Sequence, residues 1–192
     1  PKLNNIVKGW NQAETDWIVF IDSNVLLPRD AMARLFDKVQ PSTGMVCSPP
    51  IGTAAPDFAS RIECAFLNSY QARWQSAADG VGQGFAQGKV MLFHRRLIDE
   101  AGGLGVLGRE PAEDAASTKL VRGRGQRVRL VDRFFDQPLG PKTVAEVWLR
   151  QVRWARLRRA SFPLQFAAEI LTGSVVPMAM LLLTHARRIL GL

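Results

Sequence analysis

Three polar stretches of this chain carry side chains able to do chemistry, and each sits at the end of an apolar or helical run. Asp22-Ser23-Asn24 follows Trp17-Ile18-Val19-Phe20-Ile21. A carboxylate with an amide two residues on offers hard oxygen ligands, which suit Mg²⁺ or Mn²⁺ held together with a diphosphate. Glu113-Asp114 opens a helical pattern. Either carboxylate can accept a proton as a general base, and both also suit a helix start for the plainer reason that the helix dipole favours them there. Arg150-Gln151-Val152-Arg153-Trp154 is the third stretch. Arg150 and Arg153 are three apart and share a helix face, their guanidinium groups can fork onto phosphate oxygens, and the indole of Trp154 is a flat apolar wall. Each stretch also has a structural reading: a turn with Asn24 or Asp30 capping the next helix, a helix start, and a solvated basic helix.

These residues need elements to position them. Residues 17–21 read as a strand buried on both faces, and ligands of an open α/β sheet bind beyond the carboxyl ends of its strands. Leu3, Ile6, Val7 and Trp10 mark one face of a helix before it; Met32, Leu35, Phe36 and Val39 mark another after it. Gly44-Met45-Val46-Cys47 reads as a second buried strand, stopped by Pro49-Pro50-Ile51-Gly52. This order predicts a sheet with parallel strands. Residues 57–77 read as a long helix with Phe58, Ile62, Ala65, Phe66 and Ser69 on one side. A glycine-rich stretch then reads as a flexible loop; Gly88-Lys89-Val90 is its nearest approach to a P-loop ending and fails at the third position. Residues 90–93 are a third strand candidate, 97–101 a short helix, 127–131 a further strand, and 143–159 a helix carrying the third polar stretch.

The chain has 192 residues and a net charge of +8, enough for one sizeable core and basic enough for an anionic partner. A nucleic-acid-binding domain is the alternative from another class, but no recognition helix, zinc finger or aromatic RNA-binding strand pattern is present. His94 and His185 are too far apart to suggest a zinc site. Cys47 and Cys64 lie in apolar surroundings and read as buried thiols. The chain starts at Pro1 in what already looks like a helix, and is expected to be a fragment without its N-terminal part.

Taken together and in order, the three stretches resemble the processive and lipid-directed inverting glycosyltransferases of family 2. With Pro1-Lys2-Leu3-Asn4-Asn5, Ala101-Gly102-Gly103-Leu104 and residues 153–158 added, the chain looks like the ceramide glucosyltransferases of family 21. That resemblance covers most of residues 1–163. It implies a GT-A, Rossmann-like α/β fold with helices on both faces of the sheet. It also implies inverting, metal-dependent transfer of glucose or a related hexose from a UDP-sugar to the primary hydroxyl of ceramide; a related lipid such as a hopanoid is the alternative acceptor. Asp22 and Asn24 would hold the divalent metal, Asp114 would be the base with Glu113 beside it, and Arg150, Arg153 and Trp154 would meet the donor diphosphate. Lys2 and Asn5 are further candidates to touch the donor.

The catalytic domain is expected over residues 1–160, followed by a membrane-associated or transmembrane segment over 161–192. Residues 164–183 approach the length of a span, interrupted by Gln165, Glu169 and Pro177. The basic run before them puts that side in the cytoplasm by the positive-inside rule, at a bacterial inner membrane.

Overall fold

The computed structural model describes residues 2–170, and side chains between residues 5 and 169. It divides into two units, Pro1–Trp148 and Leu149–Leu192. The first unit opens with α1 (Lys2–Gln12), β1 (Trp17–Ile21), α2 (Ala31–Phe36), β2 (Thr43–Ser48) and β3 (Pro50–Thr53). A long helical stretch follows as α3 (Phe58–Ala65), a π-helical turn (Phe66–Gln71) and α4 (Ala72–Gly80). Then come β4 (Val90–His94), α5 (Arg95–Asp99), a 3₁₀ segment (Leu104–Arg109), α6 (Glu113–Gly123), β5 (Arg127–Leu130) and β6 (Phe135–Pro138). Helix α7 (Val144–Ser161) runs from the first unit into the second, where α8 (Pro163–Ile170) follows.

The main sheet has the order β1-β4-β2-β5, and β3 pairs with β6 in a second, two-stranded sheet. Strand β4 lies between β1 and β2 and runs antiparallel to both, whereas β2 and β5 are parallel. The expected all-parallel sheet is therefore a mixed one. Consecutive β1 and β2 do share a direction, but they are not neighbours, and the strand inserted between them is reversed. Nor is β1 buried on both faces. It is an edge strand among the described residues: Ile18 is buried, while Ile21 is 40% exposed. Strand β2 does end at Ser48, before Pro49, but Pro50–Thr53 then forms a further strand, β3.

Period-2 alternation sorts the strands between two cores. Ile18, Met45, Cys47, Met91, Phe93, Val128 and Leu130 face one side, where Trp10, Ile98, Leu107 and Ala116 pack from the helices. Val46, Val90, Leu92, Val131 and Phe135 face the other, against Ala31 and Leu35 of α2. The aromatic centre is Phe93, with its ring 4.8 Å from Phe20 and 6.1 Å from Trp10. Of the face expected for α2 only Leu35 and Val39 pack inward, and α3 buries a different one. Met32 and Phe36 are exposed while Ala31 and Leu35 are buried. In α3 and its continuation, Phe58 and Ile62 are exposed, whereas Ser60, Glu63, Leu67, Gln71 and Gln75 are buried. That inner face is largely polar, so apolar spacing pointed to the wrong side. Asp57 caps α3 by accepting from Ser60 N–H at 2.8 Å, and the Ser60 hydroxyl accepts from the Asp57 N–H in return.

Among the described residues no helix is long and apolar enough to cross a membrane. The greater part of the proposed membrane segment, residues 171–192, lies outside the described residues. The described part of the second unit holds α8 against the end of α7 through an Arg158–Glu169 ion pair of 2.9 Å.

Candidate active site

Because β4 is reversed, its amino end meets the carboxyl ends of β1 and β2: Val90 lies opposite Ile21 and Ser48. Gly88-Lys89, just before β4, thus reaches the edge at which Asp22 emerges. The Asp22 N–H donates to the Lys89 carbonyl at 2.9 Å, extending the ladder by one rung. The side chains meet as well. The Lys89 ammonium donates to Asp22 Oδ2 at 2.9 Å and to Asn24 Oδ1 at 3.1 Å. Asp22 and Lys89 are mostly buried, with side chains 23% and 15% exposed.

One residue earlier, the same loop lies against the other carboxylates. A Cβ placed on Gly88 would sit 3.3 Å from Asp114 Oδ2 and 3.3 Å from Glu113 Oε1, and Gly88 has φ +38°. Successive Cα atoms are about 3.8 Å apart, so one dipeptide touches Asp22, Asn24, Glu113 and Asp114. The two acidic sites lie on the same rim. Asp114 and Glu113 occupy the first turn of α6, where the helix dipole favours negative charge. Asp114 Oδ1 also accepts from the Ala115 N–H at 2.8 Å. Below them, burial holds the Cys47 thiol well above its ordinary range, and the Asp114 and Asp79 charges push it the same way.

The expected flexible loop between α4 and β4 is tied down. Gln75 Nε2 donates to the Phe85 carbonyl at 2.9 Å, the Ala86 N–H donates to Thr118 Oγ1 at 3.0 Å, and Arg122 donates to the Gly84 carbonyl at 2.9 Å. Two of those three anchors stand on α6, so the helix bearing Asp114 also positions the loop bearing Lys89. After Asn24 the chain leaves the edge by bridging to the small sheet, Leu26 N–H donating to Asp136 O at 2.8 Å. Neither Asn24 nor Asp30 caps α2 through its side chain; Asp30 is the N-cap residue by position and pairs instead with Arg34 at 2.9 Å.

The remaining candidates lie on helices α1 and α7. Arg150, Arg153 and Trp154 are on α7 in the second unit, where the Arg150 guanidinium lies 6.0 Å from the Trp154 ring centroid. Asn5 is exposed on α1. The carboxyl end of that helix is held by Arg95, which donates to the Trp10 carbonyl at 3.2 Å, beside the far ends of β1 and β4. The side chain of Lys2 lies outside the described ones. His94 is at that far edge too, opposite Trp17, with its Nδ1 accepting from the Arg96 N–H.

Lys89 is the residue that reading the sequence passed over. It was visible only as a failed P-loop ending. The usable signal was a lysine following a glycine immediately before a buried strand.

The family model for glycosyl transferase family 21 matches residues 1–190. The chain belongs to that family. Among solved structures, the family 21 chain is similar to the mannosyltransferase PcManGT from Pyrobaculum calidifontis, determined in complex with GDP-Man and Mn²⁺. The TM-score is 0.61 at 18% identity, over 99% of this chain and 60% of that one. At that identity the likeness is one of fold, and the fold is that of a GT-A glycosyltransferase: a mixed sheet with helices on both faces. The family 21 chain spans about 60% of the mannosyltransferase chain.

Proposed function

We propose that this family 21 chain is the catalytic part of an inverting hexosyltransferase that moves glucose from a UDP-sugar to the primary hydroxyl of a membrane lipid, ceramide. The observation that carries this reading is the meeting of Asp22, Asn24, Glu113 and Asp114 around Gly88-Lys89 at one sheet edge. Family membership supports the reaction class.

The donor set at the strand tip fits a divalent metal. Asp22 Oδ2 and Asn24 Oδ1 converge on one point, since a single ammonium reaches both. Among the described residues no group of three His, Cys, Asp or Glu side chains could hold a metal ion; Asp22 and Asn24 would be the residues that hold it, together with the donor's phosphate oxygens. The mannosyltransferase of similar fold was solved with Mn²⁺ and a nucleotide sugar, which supports Mg²⁺ or Mn²⁺ as the ion. When bound, the metal neutralises charge on the departing diphosphate. Asp114 takes the proton of the acceptor hydroxyl as its oxygen attacks the anomeric carbon; the bond to the phosphate oxygen breaks, and the nucleoside diphosphate leaves with the electron pair. Glu113 stands beside Asp114 as support. The motif resemblance assigns Arg150 and Arg153 to phosphate oxygens and Trp154 to an apolar wall for sugar or lipid. A lipid acceptor sets the reaction at a bilayer, with the catalytic face in the cytoplasm.

The full chain, in vesicles containing ceramide, is assayed for transfer from UDP-glucose with Mn²⁺, with EDTA, and as Asp114→Asn. Loss of a general base lowers kcat by roughly 10²- to 10⁴-fold. Undiminished transfer by Asp114→Asn rejects the base. Transfer to another lipid alcohol but not to ceramide corrects the acceptor.

A further inference from the structure

The cation position between Asp22 and Asn24 is held by a residue of the chain itself. Lys89 Nζ lies 2.9 Å from one oxygen and 3.1 Å from the other. Both are ordinary hydrogen-bond lengths, longer than the 2.0–2.1 Å that Mg²⁺ needs. Two cations cannot share that point. From this juxtaposition we infer that Lys89 is an exchangeable internal cation: it closes the metal site in the donor-free chain, is displaced when a divalent ion binds, and then offers its ammonium to the donor diphosphate.

Several features suit exchange over a permanent structural pair. The backbone of Lys89 is fixed, because its carbonyl accepts the Asp22 N–H at 2.9 Å. Only the flexible four-carbon stem has to move, and a lysine head is a point charge with three rotatable donors, indifferent to the geometry of its next acceptor. Its side chain keeps 15% exposure, so it is not sealed from solvent. The neighbouring residue toward the amino end, Gly88, lies against Glu113 and Asp114. A released ammonium therefore remains on the rim where pyrophosphate oxygens would lie.

The proposal rests on the reading of Asp22 as a metal ligand, and the test separates the two. Mn²⁺ binding to the full chain, without donor, is followed by the electron paramagnetic resonance of free Mn²⁺ for the unaltered chain, Lys89→Gln, Lys89→Arg and Asp22→Asn. UDP binding in saturating Mn²⁺ is followed by calorimetry. An ammonium that keeps the site closed about nine-tenths of the time lowers apparent metal affinity about tenfold. Lys89→Gln is therefore expected to bind Mn²⁺ on the order of tenfold more tightly and UDP more weakly. Lys89→Arg is expected to stay near the unaltered chain for Mn²⁺. A merely structural pair would not move the two affinities in opposite directions. Equal Mn²⁺ affinity in the unaltered chain and Lys89→Gln, with binding lost in Asp22→Asn, overturns the exchange but leaves the metal site standing. Mn²⁺ binding indifferent to Asp22→Asn overturns both. Should Lys89→Gln fail to fold, amine labelling of Lys89 in the unaltered chain decides: faster labelling with Mg²⁺ supports displacement, and unchanged or slower labelling refutes it.

Discussion

Replacing Gly88 by alanine tests whether the loop before β4 holds the two acidic sites in register. Gly88 has φ +38°, where an L side chain costs about 1–2 kcal/mol. The new methyl would also meet Asp114 Oδ2 and Glu113 Oε1 at 3.3 Å, tighter than ordinary contact, so that loop or carboxylates must yield by a few tenths of an ångström. For a chain of this size each kcal/mol lowers Tm by roughly 2–4 °C, so a fall of about 2–8 °C is expected. The effect on transfer should be larger than the effect on stability, since misplacing a reacting group by about 1 Å costs about 10²-fold in rate. Gly82→Ala is the control. Gly82 also has positive φ, +76°, but a Cβ there comes no nearer than 3.8 Å to anything, and that neighbour is the tip of Arg127. Both variants are measured by thermal melting in circular dichroism and by kcat for sugar transfer at temperatures below either melt. Gly88→Ala should lose kcat by tenfold or more and Gly82→Ala should not, at comparable Tm. If Gly88→Ala loses stability yet keeps kcat within about threefold of the unaltered chain, contact between loop and carboxylates does not set the reacting geometry.

Two further predictions concern the frame. Phe93→Ala removes a ring buried between Phe20 and Trp10 at the centre of the sheet; it should destabilise by about 3–5 kcal/mol, read as a fall in the urea midpoint, and a fall under 1 kcal/mol would contradict this packing. The amide hydrogens of Ser60 and Lys142 hold the Asp57 carboxyl below its ordinary value of 3.8. A lowered folded pKa means stability present above the unfolded value and lost as pH falls through the folded one. The Tm gap between the unaltered chain and Asp57→Ala should therefore be full at neutral pH and close below pH 3.8; a gap that persists into strong acid would deny the carboxylate its role.

Residue order alone carried β1, β2, β4, β5 and the helical stretches between them, though not β3 or β6. The run 17–21 is apolar, β-branched and aromatic, residue types that fit a pleated surface, and it forms β1 with Asp22 just beyond its end. Glu113-Asp114 opens α6 because carboxylates suit a helix start. The burial of α3 was not legible, because Ser60, Glu63, Gln71 and Gln75 face inward there and hydrophobic spacing has no term for a polar interior. The direction of β4 was not legible either. Val90-Met91-Leu92-Phe93 is buried on both faces and reads the same run forward or backward, so nothing in its composition says which end meets Asp22. Strand pairing decided that. In a parallel arrangement His94 would have faced the site and Lys89 the opposite edge; the antiparallel register with β1 exchanges them. Side-chain chemistry is written residue by residue, but which residues share an edge depends on hydrogen-bond partners distant in the chain, and only the closed sheet supplies those.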